Sequence, residues 1–475
     1  MPPSFLRCLA FLAVTLGPSS SLSARIWIVD ATGRGDFRDL PAALQVVQPG
    51  DLVQLEIGNY SGGTIPHPIT ITGRGPATRI LGALSASGLS APGVLVIRSL
   101  ALASPVRVVS TRHNSACASV PNFNLEICWD YPVGGLRFSR CSTPIHVSQV
   151  TAESFPPDEH ALHAGGPSLI AEDCSHLALV ESTFRPLGAL GAMCQCWVGG
   201  TLTRYPQIVV DAAQITGGFA LIDRCIFEGG HGQNTGAYCS GGPSVGYPGF
   251  RGGDGLQLSR TSVVLHASVC KGGIGGDNHK FAVGNGTSCG YPCFPPTAGG
   301  NGIRIFDSVQ APITELELFA SAIVGADGGR NVDPASCPPP YYPMQGRAGA
   351  PVMGALRSLR NETYGLPMLQ LSRELQLGES ASLSVDASGA GPIAVYVGTR
   401  WIPLRWSATV GGAVLDPSTG VHFLLGVAQA RGAVPFALDR DPALLGFPLF
   451  FQGVQLDPLT GLVRLGPVIG DAVRG

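Results

Sequence analysis

Three successive units with one internal plan occupy residues 217–350 of the 475-residue chain. Each unit opens with a short alternating apolar run, continues into a glycine-rich turn and then enters a long loop that carries a cysteine and a Tyr-Pro pair. The units restart at Gly252-Gly253-Asp254-Gly255 and Gly299-Gly300-Asn301-Gly302, which are 47 residues apart, while Cys225 and Cys270 hold equivalent places 45 residues apart. Self-similarity at this period is the signature of a repeat architecture.

The alternation within each unit predicts a β-solenoid. Apolar residues at every second position are typical of strands, and these short strands can bury a core only if each unit stacks on its neighbours. Asn234, Asn278 and Asn331 occupy equivalent places in the three turns, so stacking would let their amides bond between coils as an asparagine ladder. A β-propeller is the alternative, but it needs about four strands per unit of this length, whereas about half of each unit here is loop.

The N-terminus predicts export. An apolar run at residues 9–16 follows Arg7 and precedes Ala24, so we expect a signal peptide over residues 1–24. That run is too short to cross a bilayer, and no later stretch is long and apolar enough to do so. We therefore expect a secreted, cell-surface or periplasmic protein. With a net charge of −2 and 13% charged residues, the chain has no basic surface for nucleic acid or anionic membranes. We also expect a monomer.

The cysteines predict disulfides. Of 13 cysteines, Cys8 falls in the predicted signal peptide, which leaves 12. An even number in an exported chain predicts disulfides, here at most six. Cys117/Cys128 and Cys289/Cys293 have spacings that would close local loops. Zinc is the alternative for clustered cysteines, but no paired Cys-x-x-Cys spacing is present.

Residues 25–75 combine strands, glycine turns and one helix. Leu40, Ala43 and Leu44 have helical spacing, which predicts a short amphipathic helix. Such a helix would cover the open end of a stack of coils. The motifs are, in order, the strand at 25–30, Gly33-Arg34-Gly35-Asp36-Phe37, the helix, Pro49-Gly50-Asp51, the strand at 52–57, Gly58-Asn59-Tyr60 and Ile69-Thr70-Ile71-Thr72-Gly73.

This order of motifs resembles the N-terminal cap and first coil of pectin lyase-like right-handed parallel β-helix proteins. The family includes pectin methylesterases and many uncharacterised exported proteins, among them those of planctomycete-like bacteria. The resemblance implies an all-β chain with a right-handed parallel β-helix over residues 25–350 and a short N-terminal capping helix. It implies no activity, because the cap carries no catalytic residue and one fold hosts many functions.

The pattern changes near Pro367. Cysteines and glycine-rich turns stop, and strand-like runs recur at short spacing with Asp-Pro turns between them. This predicts a small antiparallel β-sandwich over residues 367–475, preceded by a linker at residues 351–366. The stretch from Asp441 to Pro458 is similar to the C-terminal domain attached to exported β-helix proteins, and that resemblance implies no activity.

The densest polar cluster of the chain is Asp277, Asn278, His279 and Lys280. An acid, an imidazole and an amine this close together suit acid–base chemistry, so Asp277, His279 and Lys280 are the candidate catalytic residues. The alternative is a solvated turn with Asn278 in the ladder. Neither the paired-Asp motif of polygalacturonases nor the Asp-Arg motif of pectin methylesterases is evident.

Calcium is the one cofactor for which the sequence has a candidate site. Residues 272–277 match the first six positions of the calcium nonapeptide repeat, but His279 replaces an aliphatic residue and no tandem copy follows. A simple carboxylate site built from Asp254, Asp277 and Asp327 is the other form that a calcium site would take. The sequence indicates no other cofactor.

Five loops carry a Tyr-Pro pair. In register, their aromatic side chains would project from one side of the stack, where ring faces could dock the apolar faces of sugars. Alternatively, each tyrosine packs on the following proline. The candidate ligand-binding residues are Trp129, Tyr131, Trp197, Tyr205, Tyr247, Tyr291 and Tyr342.

These patterns favour a non-enzymatic extracellular or surface protein. Aromatic loops recur without a catalytic motif, so we expect binding of a polysaccharide or a matrix or cell-wall glycan through the loops. The alternative function is a polysaccharide lyase, hydrolase or esterase that uses the cluster at residues 277–280.

Overall fold

The computed structural model describes residues 24–90, 92–103, 135–152, 166–186, 195–198, 201–204, 210–232, 236–238, 245–247, 251–277, 296–330, 345–362, 366–373, 375–387, 392–399, 401–403, 409–410, 413–415, 422–428, 431–440, 444, 448–456, 463–466 and 468–473. The predicted signal peptide lies outside these ranges apart from Ala24. No helix in the described part of the chain is long and apolar enough to cross a membrane.

Parallel strands dominate the described residues up to 362. A single sheet contains 22 of the 26 strands in this part of the chain. The other four strands form two separate pairs, β12–β13 and β17–β18. In chain order the strands are β1 (Ile26–Val29), β2 (Leu52–Leu55), β3 (Gly58–Thr64), β4 (Thr70–Thr72), β5 (Thr78–Ser87), β6 (Leu95–Ala103), β7 (Gly135–Ser139), β8 (Ile145–Ala152), β9 (Leu169–Glu172), β10 (Leu177–Val180), β11 (Thr183–Phe184), β12 (Gln195–Val198), β13 (Thr201–Arg204), β14 (Ala213–Thr216), β15 (Phe219–Asp223), β16 (Ile226–Glu228), β17 (Gly236–Tyr238), β18 (Val245–Tyr247), β19 (Leu256–Ser259), β20 (Ser262–His266), β21 (Val269–Lys271), β22 (Ile303–Ile305), β23 (Glu315–Phe319), β24 (Ala322–Val324), β25 (Val352–Met353) and β26 (Ser358–Glu362).

The sheet consists of three columns of stacked parallel strands. The first column contains β5, β7, β9, β14, β19, β22 and β25. The second contains β1, β2, β4, β6, β8, β10, β15, β20, β23 and β26. The third contains β3, β5, β6, β8, β11, β16, β21 and β24, because the long strands β5, β6 and β8 pair in two columns. This arrangement fits a β-helix, and it is not a propeller, whose blades are separate sheets.

One continuous core runs along the inside of the columns. In the second column, Ile97, Val147, Leu179, Ile222 and Leu265 are successive register partners, and all are buried. The alternating apolar residues therefore form the core as predicted, because each coil buries its apolar side chains against the coils above and below it.

The coil period varies along the stack: it is 32 residues from Ile145 to Leu177 and 43 residues in each of the next two coils. Leu177, Ala220 and Val263 are register partners at that spacing, whereas Val263 and Leu316 are 53 residues apart. Cys270 pairs with Phe227, so it is not the equivalent of Cys225. The predicted equivalence of the two cysteines was wrong by two residues, because the loops differ in length and the strands set the register.

The corner between the second and third columns has a left-handed backbone in six successive coils. Ser99, Gln149, Glu181, Arg224, Ala267 and Ala320 all have φ between 45° and 54°. A non-glycine residue with positive φ is uncommon, so six in one row mark a geometric requirement of the corner. At four of the six positions, the amide nitrogen donates to a carbonyl of the next coil, as in Glu181 N to Asp223 O at 2.9 Å.

A single helical turn lies near the N-terminus. Helix α1 (Leu40–Leu44) follows Asp39, whose carboxylate accepts hydrogen bonds from Leu40 N at 2.9 Å and Ser61 N at 2.7 Å. The three residues whose spacing predicted the helix, Leu40, Ala43 and Leu44, are buried in the same core as the columns.

The predicted glycine-rich turns are a hydrogen-bonded array instead. We call segments 229–232, 251–255, 271–277, 296–302, 325–330 and 345–351 the glycine array. Gly253 N donates to Gly230 O at 2.7 Å, Gly273 N to Gly253 O at 2.8 Å, and Gly300 N to Gly273 O at 2.8 Å. Residues 229–232, 272–277 and 325–329 form no turn.

Glycines three residues apart recur in the array. Each of the six segments carries at least one such pair: Gly229/Gly232, Gly252/Gly255, Gly272/Gly275, Gly299/Gly302, Gly325/Gly328 and Gly346/Gly349, and segment 271–277 also carries Gly273/Gly276. A Cβ built on Gly300 would lie within the van der Waals radius of the Gly253 carbonyl oxygen. As in collagen, only glycine fits where backbones approach this closely. The asparagines of the predicted ladder, Asn234, Asn278 and Asn331, lie outside the described residues.

The parallel stack continues through residues predicted to be a linker. Strands β25 and β26 pair with β22 and β23. Beyond them, the C-terminal sheets share a second core that contains Leu383, Val395 and Phe451. Their strands are β27 (Met368–Leu371), β28 (Ser380–Asp386), β29 (Ile393–Gly398), β30 (Trp401–Pro403), β31 (Thr409–Val410), β32 (Ala413–Leu415), β33 (His422–Ala428), β34 (Ala433–Ala437), β35 (Pro448–Leu456), β36 (Val463–Leu465) and β37 (Ile469–Ala472).

The C-terminal strands are mostly antiparallel. One sheet has the order β27-β28-β34, and a second has the order β31-β36-β35-β29-β33, with β37 also paired to β35. Strands β30 and β32 form a separate antiparallel pair. Only the β31–β36 pairing within the described residues of these sheets is parallel.

Candidate functional site

The long connections leave the stack at one edge, which we call the loop side. Each connection runs from the end of a third-column strand to the start of a first-column strand. Within the described part of the chain, the other two corners are turned by the long strands themselves or by short links. The loop-side connections span residues 104–134, 153–168, 185–212, 229–255, 272–302 and 325–351.

All seven predicted ligand-binding aromatic residues fall in loop-side connections. Two of these connections contain antiparallel hairpins: in β12–β13, Trp197 lies opposite Leu202, and in β17–β18, Tyr247 lies opposite Gly236. The structure describes the backbone of Trp197 and Tyr247 but not their side chains. The other five residues lie outside the described ranges, and they are Trp129, Tyr131, Tyr205, Tyr291 and Tyr342.

Of the candidate catalytic cluster, the structure describes only Asp277. Its carboxylate accepts a hydrogen bond from the backbone amide of Arg330 at 2.6 Å. This contact joins two segments of the glycine array from successive coils. His279 and Lys280 lie outside the described residues.

The three predicted calcium-binding carboxylates are engaged differently. Asp254 is fully buried and paired with Arg251 at 2.9 Å, Asp277 bonds Arg330, and Asp327 is exposed. Within the described ranges, no three His, Cys, Asp or Glu side chains form a group that could hold a metal ion. The described part of the chain therefore gives no support to a carboxylate cation site.

Asp254 belongs to a ladder of side chains at the restart of each unit. Asp211 Oδ1 accepts from Asp254 N at 2.8 Å, Asp254 Oδ1 accepts from Asn301 N at 2.7 Å, and Asn301 Oδ1 accepts from Ala350 N at 2.9 Å. Each side chain thus accepts a hydrogen bond from a backbone amide of the following coil. The Asp and Asn of the two restart motifs serve this purpose.

Asp211 carries an unfavourable charge. It is buried, and removal from water raises its pKa from 3.8 to about 6, with the charge of Asp254 acting in the same direction. The folded state therefore holds the proton more tightly than the unfolded state. This contribution to stability falls as the pH rises from about 4 through about 6.

Replacing Asp211 with asparagine should raise the free energy of unfolding at pH 7.5 by about 2 to 3 kcal/mol. Asn301 holds the equivalent position in the ladder, and its side-chain amide oxygen accepts a hydrogen bond from a backbone N–H of the next coil. An asparagine can therefore play the same part at residue 211. Urea unfolding measured at pH 4.5 and 7.5 would test this, with the exposed Asp327→Asn as control. An equal gain in the free energy of unfolding at both pH values would contradict the assignment of this gain to the buried charge of Asp211.

The four cysteine side chains that the structure describes are buried thiols and not disulfides. Cys141, Cys174, Cys225 and Cys270 are free and lie in the core of the stack. These four side chains act as small apolar residues, so the upper limit of six bridges falls to four among the eight other cysteines, whose side chains lie outside the description. Burial raises the pKa of Cys225 and Cys270, which makes them unreactive.

Both predicted short-range disulfide pairs fall on residues that the structure leaves out. These are Cys117/Cys128 and Cys289/Cys293.

The outer face of the second column is covered by the C-terminal sheets. The outward-facing residues Val96, Ala178, Leu221 and Val264 are buried, and they form one cluster with Leu366, Leu415, Phe450 and Val468. The stack and the C-terminal sheets are thus joined by a continuous apolar interface.

A buried polar chain crosses this interface. His266 Nδ1 lies 2.7 Å from Asp223 Oδ1, and both side chains are at most 1% exposed. Arg224 Nε donates to Asp223 Oδ2 at 2.8 Å. The backbone amide of Leu366 donates to His266 Nε2 at 3.0 Å, so the Nδ1 atom carries the imidazole proton. His266 therefore connects the stack to the segment that enters the C-terminal sheets.

A cavity of about 80 Å³ lies beside this polar chain, between the stack and the C-terminal sheets. We call it the interface cavity. Its polar wall consists of stack side chains, namely Arg98, His146, Ser148, Gln149, Glu181 and Arg224. Its apolar wall consists of Val180 with Leu369, Leu371, Phe451 and Ile469 of the C-terminal sheets.

Two side chains of the polar wall lack a protein partner. Among the described residues, neither ring nitrogen of His146 has a hydrogen-bond partner, and neither has the Ser148 hydroxyl. His146 is 1% exposed and Ser148 is 6% exposed. Buried polar groups are nearly always hydrogen-bonded, so these two indicate a water or ligand position.

The charge state of His146 follows from its surroundings. Burial, together with the nearby Arg98 cation, lowers the pKa of His146 to about 3. The imidazole is therefore neutral at physiological pH, with one nitrogen as donor and the other as acceptor. Its ring also packs edge-on against Phe450, with centroids 5.4 Å apart.

No family model, curated protein or solved structure matches this chain.

Proposed function

We propose that this chain is an exported right-handed parallel β-helix protein of the pectin lyase-like type, and that it binds a polysaccharide or matrix glycan along its loop side. The observation that carries this proposal is the shared edge: every connection with a candidate aromatic residue joins the third column to the first. Helix α1 serves as the N-terminal cap, and the C-terminal sheets form a β-sandwich.

The geometry of the stack suits a linear polymer. Neighbouring parallel strands are about 4.8 Å apart. The six loop-side connections therefore span about 24 Å along the stack. Aromatic residues repeated along such a row suit a chain of similar units better than one small molecule, because each coil offers the same kind of contact.

The hairpins strengthen the case for ordered platforms. Strand pairing in β12–β13 and β17–β18 fixes the backbone around Trp197 and Tyr247. A binding surface whose backbone is already fixed loses less conformational entropy when a ligand docks. The proposal therefore places the first contacts on these two residues.

Alanine at Trp197 and Tyr247 together should weaken polysaccharide binding at least about tenfold, equivalent to 1.4 kcal/mol. Pull-down on insoluble polysaccharides and a glycan array would measure the effect. Phe306→Ala is the matched control, since Phe306 is a 48% exposed aromatic residue at the end of a first-column strand. The proposal fails if the wild-type protein binds no glycan, or if the control weakens binding as much as the double variant.

The same samples test the enzymatic alternative. A rise in ultraviolet absorbance would indicate a lyase, and new reducing ends without that rise would indicate a hydrolase. If activity appears, the triple variant Asp277→Asn, His279→Ala, Lys280→Ala should abolish it. Activity that survives this variant would remove the cluster at 277–280 from consideration.

A further inference from the structure

We propose that cleavage of the Ala24–Arg25 peptide bond during export creates an α-amino group that docks on the buried carboxylate of Asp51. The site lies at the N-terminal end of the stack, where Asp51 holds the chain immediately before β1. This inference rests on the export part of the proposed function and is independent of glycan binding.

Asp51 lies directly before β2, and its side chain holds the start of β1. Asp51 Oδ1 accepts a hydrogen bond from Arg25 N at 2.9 Å. Asp51 Oδ2 accepts hydrogen bonds from Trp27 Nε1 and from Gln48 N, each at 2.9 Å. The carboxylate therefore grips the main chain at the point where the predicted signal peptide ends.

The Asp51 carboxylate is buried without a cation beside it. The residue is 4% exposed, and its three donors are two backbone amides and one indole, all of them neutral. Among the described side chains, no arginine, lysine or histidine forms an ion pair with Asp51. Because a buried carboxylate is costly without an opposite charge, a cation here would stabilise the fold.

Cleavage after Ala24 supplies a cation at the correct atom. Hydrolysis consumes one water and breaks the Ala24–Arg25 bond. The water oxygen ends in the new carboxylate of Ala24, and the two water protons end on the Arg25 nitrogen, which becomes an ammonium group. That nitrogen already lies 2.9 Å from Asp51 Oδ1. A neutral hydrogen bond thus becomes a charge-assisted one, which is about twice as strong.

The surroundings of Arg25 suit a chain end. Ala24 is a small residue, as leader cleavage requires directly before the bond. Arg25 precedes β1, so cleavage removes no residue of the sheet. Its carbonyl oxygen accepts from Leu52 N at 2.9 Å, and its guanidinium stacks on Trp27 with Cζ 3.6 Å from the ring centroid. These contacts would keep the new terminus from fraying.

The first test is the N-terminal sequence and intact mass of the protein exported from the full precursor. We expect a chain that begins with Arg25. A precursor that stays uncleaved inside the cell would contradict the export proposal and this inference together. An exported chain that begins at another residue would overturn this inference alone.

Two purified chains test the docking. One begins at Arg25, and the other begins at Ser23, which moves the α-amino group two residues away from Asp51. The readout is the rate at which an amine-reactive ester acylates the α-amino group between pH 6 and 11, measured by mass spectrometry of the N-terminal peptide. The label is easily assigned, because the sequence has only two lysines, Lys271 and Lys280.

The pH at half-maximal acylation should differ between the two chains. We expect about 8 for the chain from Ser23, which is the usual pKa of an α-amino group. The chain from Arg25 should have a midpoint at least about one unit higher, because a neighbouring carboxylate raises the pKa of an amine. At pH 8 its α-amino group should therefore react at least about fivefold more slowly.

Stability should follow the same titration. A folded-state pKa above the unfolded value contributes stability below about pH 8, and this contribution is lost as the pH rises through the folded-state pKa. Between pH 7.5 and 10, the melting temperature of the chain from Arg25 should therefore fall relative to that of the chain from Ser23.

Asp51→Asn in the chain from Arg25 should return the acylation midpoint to about pH 8. Asp36→Asn is the matched control, because Asp36 is an exposed carboxylate that accepts from Ile28 N at 2.9 Å on the same strand. It should leave the midpoint unchanged. Should Asp51→Asn fail to fold, the comparison of the two chains still decides.

Two acylation results would overturn the docking. Equal midpoints for the two chains would show that the α-amino group makes no ion pair in the folded protein. A raised midpoint that Asp51→Asn leaves unchanged would assign the ion pair to another carboxylate.

Discussion

Replacing Gly300 with alanine should lower the free energy of unfolding by more than about 3 kcal/mol. The added methyl group would overlap the carbonyl oxygen of Gly253, which is backbone and cannot rotate away. Gly253 N donates to Gly230 O, and Gly300 N to Gly273 O, so any shift disturbs several hydrogen bonds of the glycine array. Urea unfolding followed by circular dichroism would measure the loss.

Gly230→Ala is the matched control for this prediction. Gly230 lies in the same array, but a Cβ there would be 3.1 Å from Val210 O and 3.2 Å from Pro186 Cγ. Small adjustments relieve such contacts, so the expected cost is about 1 kcal/mol. Neither glycine has positive φ, so backbone strain does not distinguish them. Similar losses for the two variants would contradict the close-packed array.

Replacing His266 with phenylalanine should cost about 3 to 5 kcal/mol, because it leaves the buried Asp223 carboxylate without its imidazole partner. It also removes the acceptor of the Leu366 amide, which joins the stack to the C-terminal sheets. The side chain itself fits the row, since Phe319 is the next register partner of His266. The measurement is again urea unfolding. Hydrogen exchange would follow the stack and the C-terminal sheets separately.

The double variant Asp223→Val, His266→Phe is the control. It replaces the pair with the residue types of the neighbouring coils, Val180 and Phe319. Removing both members of a buried pair is often nearly neutral, whereas removing one is not. The double variant should therefore be at least about 2 kcal/mol more stable than the sum of the single losses predicts. Additive losses would show that the two side chains are not coupled.

Alternation was sufficient to predict the stack, because every coil must bury one face of each strand. A second signal in the same strands predicts the covered outer face. The runs Leu177-Ala178-Leu179-Val180 and Phe219-Ala220-Leu221-Ile222 are apolar at every position. Continuous apolar runs are typical of strands buried on both faces. The interface with the C-terminal sheets follows from this pattern.

Other features could not be predicted from the sequence pattern, and the reasons are physical. Glycine clusters predict turns by default, and only the paired positions three residues apart distinguish the array. Export predicts disulfides from cysteine number, but Cys225 and Cys270 face the core, where a thiol is a small apolar side chain. His146 and Ser148 line the interface cavity together with Arg98 of the preceding coil, which lies 48 residues before His146.

The glycine array also bears on how such a chain diversifies. Its segments flank residues 233–250, 278–295 and 331–344 of three loop-side connections, and hydrogen bonds between backbones hold the flanking segments in place. The register of the coils is thus set on both sides of these stretches. A connection with fixed ends tolerates changes in its length well. New recognition surfaces can therefore arise by replacing the residues between two array segments without rebuilding the stack.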